Sequence, residues 1–117
     1  MKIDIWSDIM CPFCYIAKRK LELALEQFDH KDKVSIHWHS FLLQPGIKYE
    51  EGKNIHDFLM ESKGFSYERA LKLTQHVKDT AKEVGLHFNF DKIVVANSFD
   101  AHRFTHFAAV HGYQNEA

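Results

Sequence analysis

Two cysteines three positions apart are the residues of this chain whose type and spacing suit chemistry. They stand in the segment Cys11-Pro12-Phe13-Cys14, between a strand-like stretch and a helical one. A Cys-x-x-Cys pair beside a βαβ pattern is typical of redox motifs, which exchange between a dithiol and an internal disulfide. A zinc site generally needs four ligands, and the sequence has no second Cys-x-x-Cys. We therefore predict a redox pair, with metal binding as the alternative.

The start of the predicted helix distinguishes the two thiols. Pro12 suits the first helical turn, so Cys11 would lie beside unpaired backbone N–H groups at the positive end of the helix dipole. This setting favours a thiolate. We predict that Cys11 is the exposed nucleophile, which attacks a substrate disulfide, and that Cys14 is the buried thiol that resolves the mixed disulfide. Pro12 and Phe13, between the sulfurs, are predicted to form an apolar docking surface for substrate.

Other polar residues have simpler interpretations. Asp8 precedes the motif, and we predict an ordinary loop carboxylate there, with a proton acceptor near the cysteines as the alternative. His102 and His106 are four apart on a predicted helix, but further metal ligands are not evident. The sequence therefore predicts neither a metal ion nor a cofactor. His37 and His39 are predicted to lie on the solvent side of a strand.

The periodicity of apolar residues predicts the elements that position the cysteines. Alternation predicts strands at residues 2–7 and 34–41, and helical spacing predicts a helix through residue 28 between them. Strand, helix and strand with short links form a right-handed βαβ unit with parallel strands. Capping residues predict three more helices, at 55–63, 67–84 and 98–111. Residues 86–90 are predicted to form an extended loop or a short strand, and a brief turn is predicted at 92–95. Eight apolar residues are predicted to be core or groove lining: Phe41, Leu42, Leu43, Phe88, Phe90, Phe99, Phe104 and Phe107.

Composition limits the function classes. A chain of 117 residues can form one domain with a modest core, and a net charge of −1 gives no field that favours nucleic acid or a membrane. The sequence shows neither a signal-peptide pattern nor an apolar run of transmembrane length. We predict a cytoplasmic protein that binds neither nucleic acid nor membrane.

Three stretches of the sequence resemble one known family. These are SDIMCPFCYIAKR at residues 7–19, WHSFLLQP at 38–45 and NSFDAHR at 97–103. They are similar to segments of the DsbA-like thioredoxin-fold family, specifically its FrnE-like branch. The resemblance implies an α/β fold, a thioredoxin core with a helical domain inserted after the second strand. Residues 1–45 would form the N-terminal βαβ part, and residues 46–117 an incomplete helical insertion.

The resemblance also implies a function, that of a protein-disulfide oxidoreductase acting on protein or small-molecule disulfides or dithiols. Cys11 and Cys14 match the redox pair of the family. Asn97, His102 and Arg103 match a segment that packs near the active site, so they are candidates for substrate binding. The alternatives are a glutathione-linked transferase or isomerase of the same fold, in which a serine would stand at position 11, and a non-enzymatic metal- or partner-binding fragment.

The later part of the family fold has no counterpart in this sequence. The last strands of the thioredoxin core and the cis-proline of the family lie further along, and neither Pro12 nor Pro45 matches that proline. We therefore expect the N-terminal part of a longer protein, with the C-terminal part of the thioredoxin core missing. Two parallel strands leave unpaired sheet edges, so we expect self-association through an edge or marginal folding.

Overall fold

The computed structural model describes residues 1–117. Two strands, β1 (Lys2–Ser7) and β2 (Ser35–Ser40), flank helix α1 (Pro12–Glu26). Three further helices follow, α2 (Ile55–Lys63), α3 (Tyr67–Lys82) and α4 (Phe99–Val110). The predicted α/β class and the order of its elements are confirmed, with helix ends that differ by two residues at most from the predicted ends.

The two strands form one parallel sheet, as predicted. Lys2 lies beside Ser35 and Ser7 beside Ser40, so both strands end at the same edge. The cysteine segment follows β1 directly and therefore lies at this carboxyl edge. The sheet has only these two strands, and no residue of either is buried.

Local capping explains where the helices begin and end. Asn54 and Asp57 form a capping box at α2, and Gly64 ends that helix with a positive φ of 68°. The side chain of Ser66 accepts from the N–H of Arg69 at 3.2 Å and caps α3. All three caps lie within a few residues of the helices they bound, which is why the sequence predicts them.

The main core lies between α1 and the helical part of the chain. Ile16 of α1 packs with Val77 and Ala81 of α3, and Val84 and Phe90 complete the cluster. This core draws on residues from both sides of the predicted division between residues 45 and 46. The division into two domains stays a prediction.

Most of the predicted apolar core residues are not buried. Phe90 is buried and Leu42 and Phe88 are half-buried, but the other five are each more than half exposed: Phe41, Leu43, Phe99, Phe104 and Phe107. Their assignment to the core is wrong. The physical reason is that no second layer covers the outer side of α4 or the segment after β2.

The connections after α3 differ in detail from the expectation. Residues 86–89 form a loop, one of the two predicted alternatives, but the short 3₁₀ turn runs over Phe90–Lys92 rather than 92–95. A second such turn, Lys31–Lys33, leads into β2.

None of the helices combines the length and apolar content that crossing a membrane requires.

Candidate active site

The beginning of α1 brings the two cysteines together. Cys11 is the N-cap, with extended backbone at φ −92° and ψ 113°, and Pro12 begins the helix. The N–H of Cys14 donates to the carbonyl of Cys11 at 3.1 Å, which closes the first turn. The cysteines are free thiols 3.7 Å apart. A pair in this position needs only a small movement to form an internal disulfide.

Exposure does not separate the two thiols as the sequence predicted, because both are partly buried. The surroundings of Cys14 nevertheless affect its pKa. Burial raises the pKa of the Cys14 thiol, and the neighbouring Cys11 thiol and the Asp8 charge add to this effect. A hydrogen bond from the backbone N–H of Asp8 acts in the opposite direction but is outweighed. Cys14 is therefore held as the neutral thiol at neutral pH.

Asp8 is the most deeply buried polar residue near the cysteines, with 1% of its surface exposed. The prediction of an ordinary loop carboxylate is wrong. Its Oδ1 accepts from Ser98 Oγ at 2.5 Å and from the N–H of Met10 at 3.2 Å, and lies 3.0 Å from His102 Nε2. Its Oδ2 accepts from the N–H of Leu43 at 2.8 Å. Four donors from three segments of the chain thus converge on one carboxylate.

These hydrogen bonds decide the charge of Asp8. Burial alone raises the pKa of a carboxyl, but here the hydrogen bonds from Ser98, Leu43, Met10 and His102 outweigh it, and the pKa lies below the ordinary 3.8. Asp8 is therefore ionised at neutral pH. An ionised carboxylate only accepts hydrogen bonds, so His102 must carry a proton on Nε2.

A cleft of about 400 Å³ opens beside the cysteines. It lies between the start of α1, the carboxyl edge of the sheet and α4. Cys11, Cys14 and Asp8 line it together with polar and cationic side chains, Lys18, His39, Ser40, His102 and His106. The cysteine pair therefore faces a space large enough for a small molecule or a side chain of a larger substrate.

The two histidines of α4 anchor this helix to the carboxyl edge of the sheet. His102 binds Asp8 at the end of β1, and His106 Nε2 lies 2.7 Å from Ser40 Oγ at the end of β2. The four-residue spacing thus places both rings on the side of α4 that faces the strands. The structure contains no group of three or more histidine, cysteine or acidic side chains arranged to hold a metal ion.

The predicted substrate-side residues lie in different places. Phe13 is 45% exposed, and Pro12 is half-buried in the first turn of α1. Both adjoin the cysteines, but neither lines the cleft. Among the candidates on the later segment, His102 lines it.

Asn97 and Arg103 make other contacts. The side-chain amide of Asn97 donates to the carbonyls of Pro45 and Ile47, at 2.9 and 3.1 Å, and so holds the loop after β2. Arg103 is an exposed side chain that pairs with Asp100 at 3.1 Å. The structure therefore brings neither residue to the cleft, and their role in substrate binding stays a prediction.

Sequence reasoning missed the contacts of Asp8 and Ser98. One local signal exists, because Asp8 accepts from the N–H two residues ahead, an Asx-turn pattern. The contacts to Ser98 and His102 join residues 90 and 94 positions apart in the sequence, and no local pattern predicts contacts across such separations. His39, which also lines the cleft, is half-exposed and stacks on Trp6 with ring centroids 4.5 Å apart.

A parallel βαβ unit with a cysteine pair at the start of its helix defines a thioredoxin-like protein. The family model for the DSBA-like thioredoxin domain matches residues 2–117. The chain therefore belongs to the DSBA-like thioredoxin domain family, as its resemblance implied. No curated protein matches the chain.

A solved structure agrees with this assignment. The crystal structure of a probable DsbA oxidoreductase from Streptomyces coelicolor is 33% identical to the chain, with a TM-score of 0.89. The match covers 98% of this chain and 49% of that one, so the chain spans about half the length of the relative it matches. The thioredoxin-like fold is thus confirmed, whereas membership of the FrnE-like branch stays a prediction.

Proposed function

We propose that this chain supplies the redox-active dithiol of a thiol–disulfide oxidoreductase. The observation that carries the proposal is the pair of free cysteines, 3.7 Å apart at the start of α1 and open to a cleft. Family membership and the similarity to a probable DsbA oxidoreductase support the same class of reaction.

The reaction proceeds in two exchange steps. The thiolate of Cys11 attacks one sulfur of a substrate disulfide, and the other substrate sulfur leaves as a thiolate. Cys14 then loses its proton and attacks Cys11, which breaks the mixed disulfide and forms the Cys11–Cys14 disulfide. The second substrate sulfur leaves as a thiolate and takes up a proton. The substrate disulfide is reduced and the dithiol is oxidised, and the reverse sequence oxidises a dithiol substrate.

The surroundings of the cysteines support this division of roles. Cys11 is the N-cap residue and no side chain caps α1, so the Phe13 N–H and the positive end of the helix dipole are available to a thiolate there. The raised pKa of Cys14, caused first by burial, keeps the second thiol protonated until the mixed disulfide has formed. Exposed apolar side chains beside the pair, Ile9, Phe13 and Tyr15, suit a protein or small-molecule disulfide as substrate.

Two further proposals concern the setting of the chain. A cytoplasmic location is supported by the sequence, where the only two cysteines form one redox motif and no structural disulfide is indicated. Association of two copies through a sheet edge is supported by the two-stranded sheet, whose outer edges have no partner strand.

Reduction of insulin by dithiothreitol tests the proposed activity against its alternatives. We expect the full chain to accelerate insulin precipitation, and Cys11→Ser to reduce the rate to that of dithiothreitol alone, because the attacking thiolate is gone. A Cys11→Ser chain that gains glutathione-dependent transfer favours the glutathione-linked alternative. A wild-type chain that gives no acceleration but binds zinc through its thiols favours the metal-binding alternative and contradicts the proposal.

A further inference from the structure

The ring of His102 is held at one nitrogen and free at the other. Its Nε2 lies 3.0 Å from Asp8 Oδ1, and because an ionised carboxylate only accepts, Nε2 carries the proton. Nδ1 of the neutral ring is then an acceptor, and it has no partner within the chain. No buried side-chain nitrogen or oxygen lacks a partner, so Nδ1 reaches the accessible surface. Since His102 is only 7% exposed and lines the cleft, this acceptor opens into the cleft that holds the cysteines.

The carboxylate of Asp8 fixes the orientation of this ring. It is itself held in place, because it also accepts from Ser98 Oγ and from the N–H groups of Met10 and Leu43. These hydrogen bonds outweigh the effect of burial and keep the pKa of Asp8 below its ordinary 3.8, so Asp8 does not itself take up a proton at neutral pH. A buried carboxylate that orients a histidine is an arrangement in which the histidine acts as a base.

We propose that His102 is the proton acceptor for Cys14 in the resolving step, and that Asp8 positions its ring. This inference rests on the proposed function. In that step the thiol proton of Cys14 passes through water in the cleft to His102 Nδ1, and the Cys14 sulfur bonds to the Cys11 sulfur. The bond from Cys11 to the substrate sulfur breaks, and its electron pair leaves with the substrate sulfur. The departing thiolate then takes the proton from the His102 imidazolium, which returns to the neutral ring.

The second thiol needs such an acceptor more than the first. Burial raises the pKa of the Cys14 thiol, so little of it is ionised when the mixed disulfide has formed. The thiolate is the attacking species, so Cys14 must lose its proton before it can bond to Cys11. A base that lines the same cleft as this thiol can take the proton through one water molecule.

The other charged groups of the cleft suit this role less well. Lys18 of α1 has an ammonium group, which donates and cannot accept. Glu116, after α4, is exposed, and a carboxylate is a weaker base than an imidazole. The remaining proton acceptors that line the cleft are therefore its histidines.

The two other histidines of the cleft bind partners at the surface. His39 Nε2 lies 2.8 Å from Asp4 Oδ1, and this pair is exposed to solvent. His106 Nε2 lies 2.7 Å from Ser40 Oγ, a neutral partner, and this pair is exposed as well. Neither ring has a buried carboxylate behind it. His102 has one, so its Nδ1 faces the cleft in a fixed direction.

A glutamine at position 102 separates the two properties of the histidine. Its side-chain NH₂ group can still donate to Asp8, but the amide has no basic nitrogen that could take a thiol proton. His102→Gln therefore keeps the buried hydrogen bond and removes the proton acceptor. If the histidine served the structure alone, glutamine would replace it without loss of rate.

The two exchange steps can be timed separately when the reduced full chain is mixed with dithiobis(nitrobenzoate) in a stopped-flow instrument. Attack by Cys11 releases the first thionitrobenzoate at a rate that rises with reagent concentration, whereas resolution by Cys14 releases the second at a rate that does not. We expect His102→Gln to lower the second rate relative to the first by about tenfold or more, since a positioned proton acceptor typically contributes roughly 10²–10⁴-fold.

An external base should restore the lost step. At fixed pH and ionic strength, the second rate of His102→Gln should rise with the concentration of imidazole, because the free base replaces the missing ring as proton acceptor. The second rate of the wild type should not depend on imidazole, because its own acceptor is in place. A structural role for His102 would give no such difference.

Two further variants and one solvent change accompany this measurement. His111→Gln is the matched control, because His111 caps the end of the same helix, is exposed and lies outside the cleft. It should leave both rates unchanged. His106→Gln compares the two histidines of α4, and it should lower the second rate less than His102→Gln does. Heavy water should slow the second step of the wild type more than the first, which keeps the test decisive if His102→Gln does not fold.

Four results overturn the inference. They are an unchanged second rate in His102→Gln, a loss that imidazole does not reverse, an equal loss in His106→Gln or His111→Gln, or, when His102→Gln does not fold, an equal slowing of both wild-type steps in heavy water. A wild-type chain that releases no thionitrobenzoate in the first phase is a different result. It contradicts the proposed function itself, and the role of His102 with it.

Discussion

At the residue scale, the cysteines and Asp8 show what a sequence can and cannot report about a site. The motif Cys11-Pro12-Phe13-Cys14 predicts the pair and its place at a helix start because both depend on neighbouring residues. Asp8 was predicted to be an ordinary loop carboxylate. The sequence does not show its burial, because that burial depends on α4, which lies some 90 residues further along the chain. Tertiary contacts therefore set the burial and the charge of Asp8.

The different surroundings of the two thiols predict an order of alkylation. Cys14 has a pKa above its ordinary value of 9.0, caused first by burial, so its reactive thiolate is scarce at neutral pH. We expect iodoacetamide to label Cys11 first at neutral pH in the reduced full chain, and Cys14 labelling to rise steeply only above about pH 9. Peptide mass mapping measures both rates.

The control for this labelling is Cys11→Ser, which leaves Cys14 without its neighbouring thiol. Because the neighbouring thiol contributes to the raised pKa, Cys14 should react at somewhat lower pH in this variant than in the wild type. Labelling of Cys14 ahead of Cys11 at neutral pH in the wild type would reverse the assigned roles.

At the element scale, local signals were sufficient for the helices and strands. Caps such as Asn54 and Ser66, and the left-handed Gly64, act within a few residues and appear directly in the sequence. The strands follow from the alternation of apolar and polar residues, and the helix that connects them implies that they run parallel. Element bounds were therefore predictable to within a few residues.

What each element packs against was less predictable. Phe99, Phe104 and Phe107 were predicted to be core or groove lining, yet each is exposed and gives α4 an apolar outer side. Helical periodicity reports which residues share a face, and says nothing about whether another layer covers that face. The anchoring side of α4, with His102 and His106, looked like a solvated face or a metal pair for the same reason.

At the scale of the whole molecule, the chain exposes more surface than its size requires. Its accessible area is 8456 Å², whereas a folded monomer of 13.7 kDa exposes about 6,600 Å². Its radius of gyration is 16.0 Å, compared with about 13 Å for a 100-residue domain. Uncovered surface of this extent, including Trp6 at 63% exposure beside an open strand edge, favours association.

We therefore expect multi-angle light scattering to show a concentration-dependent dimer of the full chain. Trp6→Lys should shift the equilibrium towards the monomer, because a charged side chain on an edge strand opposes strand pairing. His111→Lys adds the same charge on an exposed position outside the sheet and serves as the control. A compact monomer at every concentration, with a cooperative thermal transition, would argue against the open edge as a binding surface.

The most direct test of the central claim is to trap the intermediate in which Cys11 is joined to a substrate. The Cys14→Ser variant of the full chain is mixed with oxidised glutathione or with a disulfide-containing peptide, and the product is followed by intact mass spectrometry. Our account predicts a stable adduct on Cys11 in Cys14→Ser, no adduct in Cys11→Ser, and an internal Cys11–Cys14 disulfide in the wild type. An adduct that forms on Cys14 in preference to Cys11, or no adduct in Cys14→Ser, would contradict it.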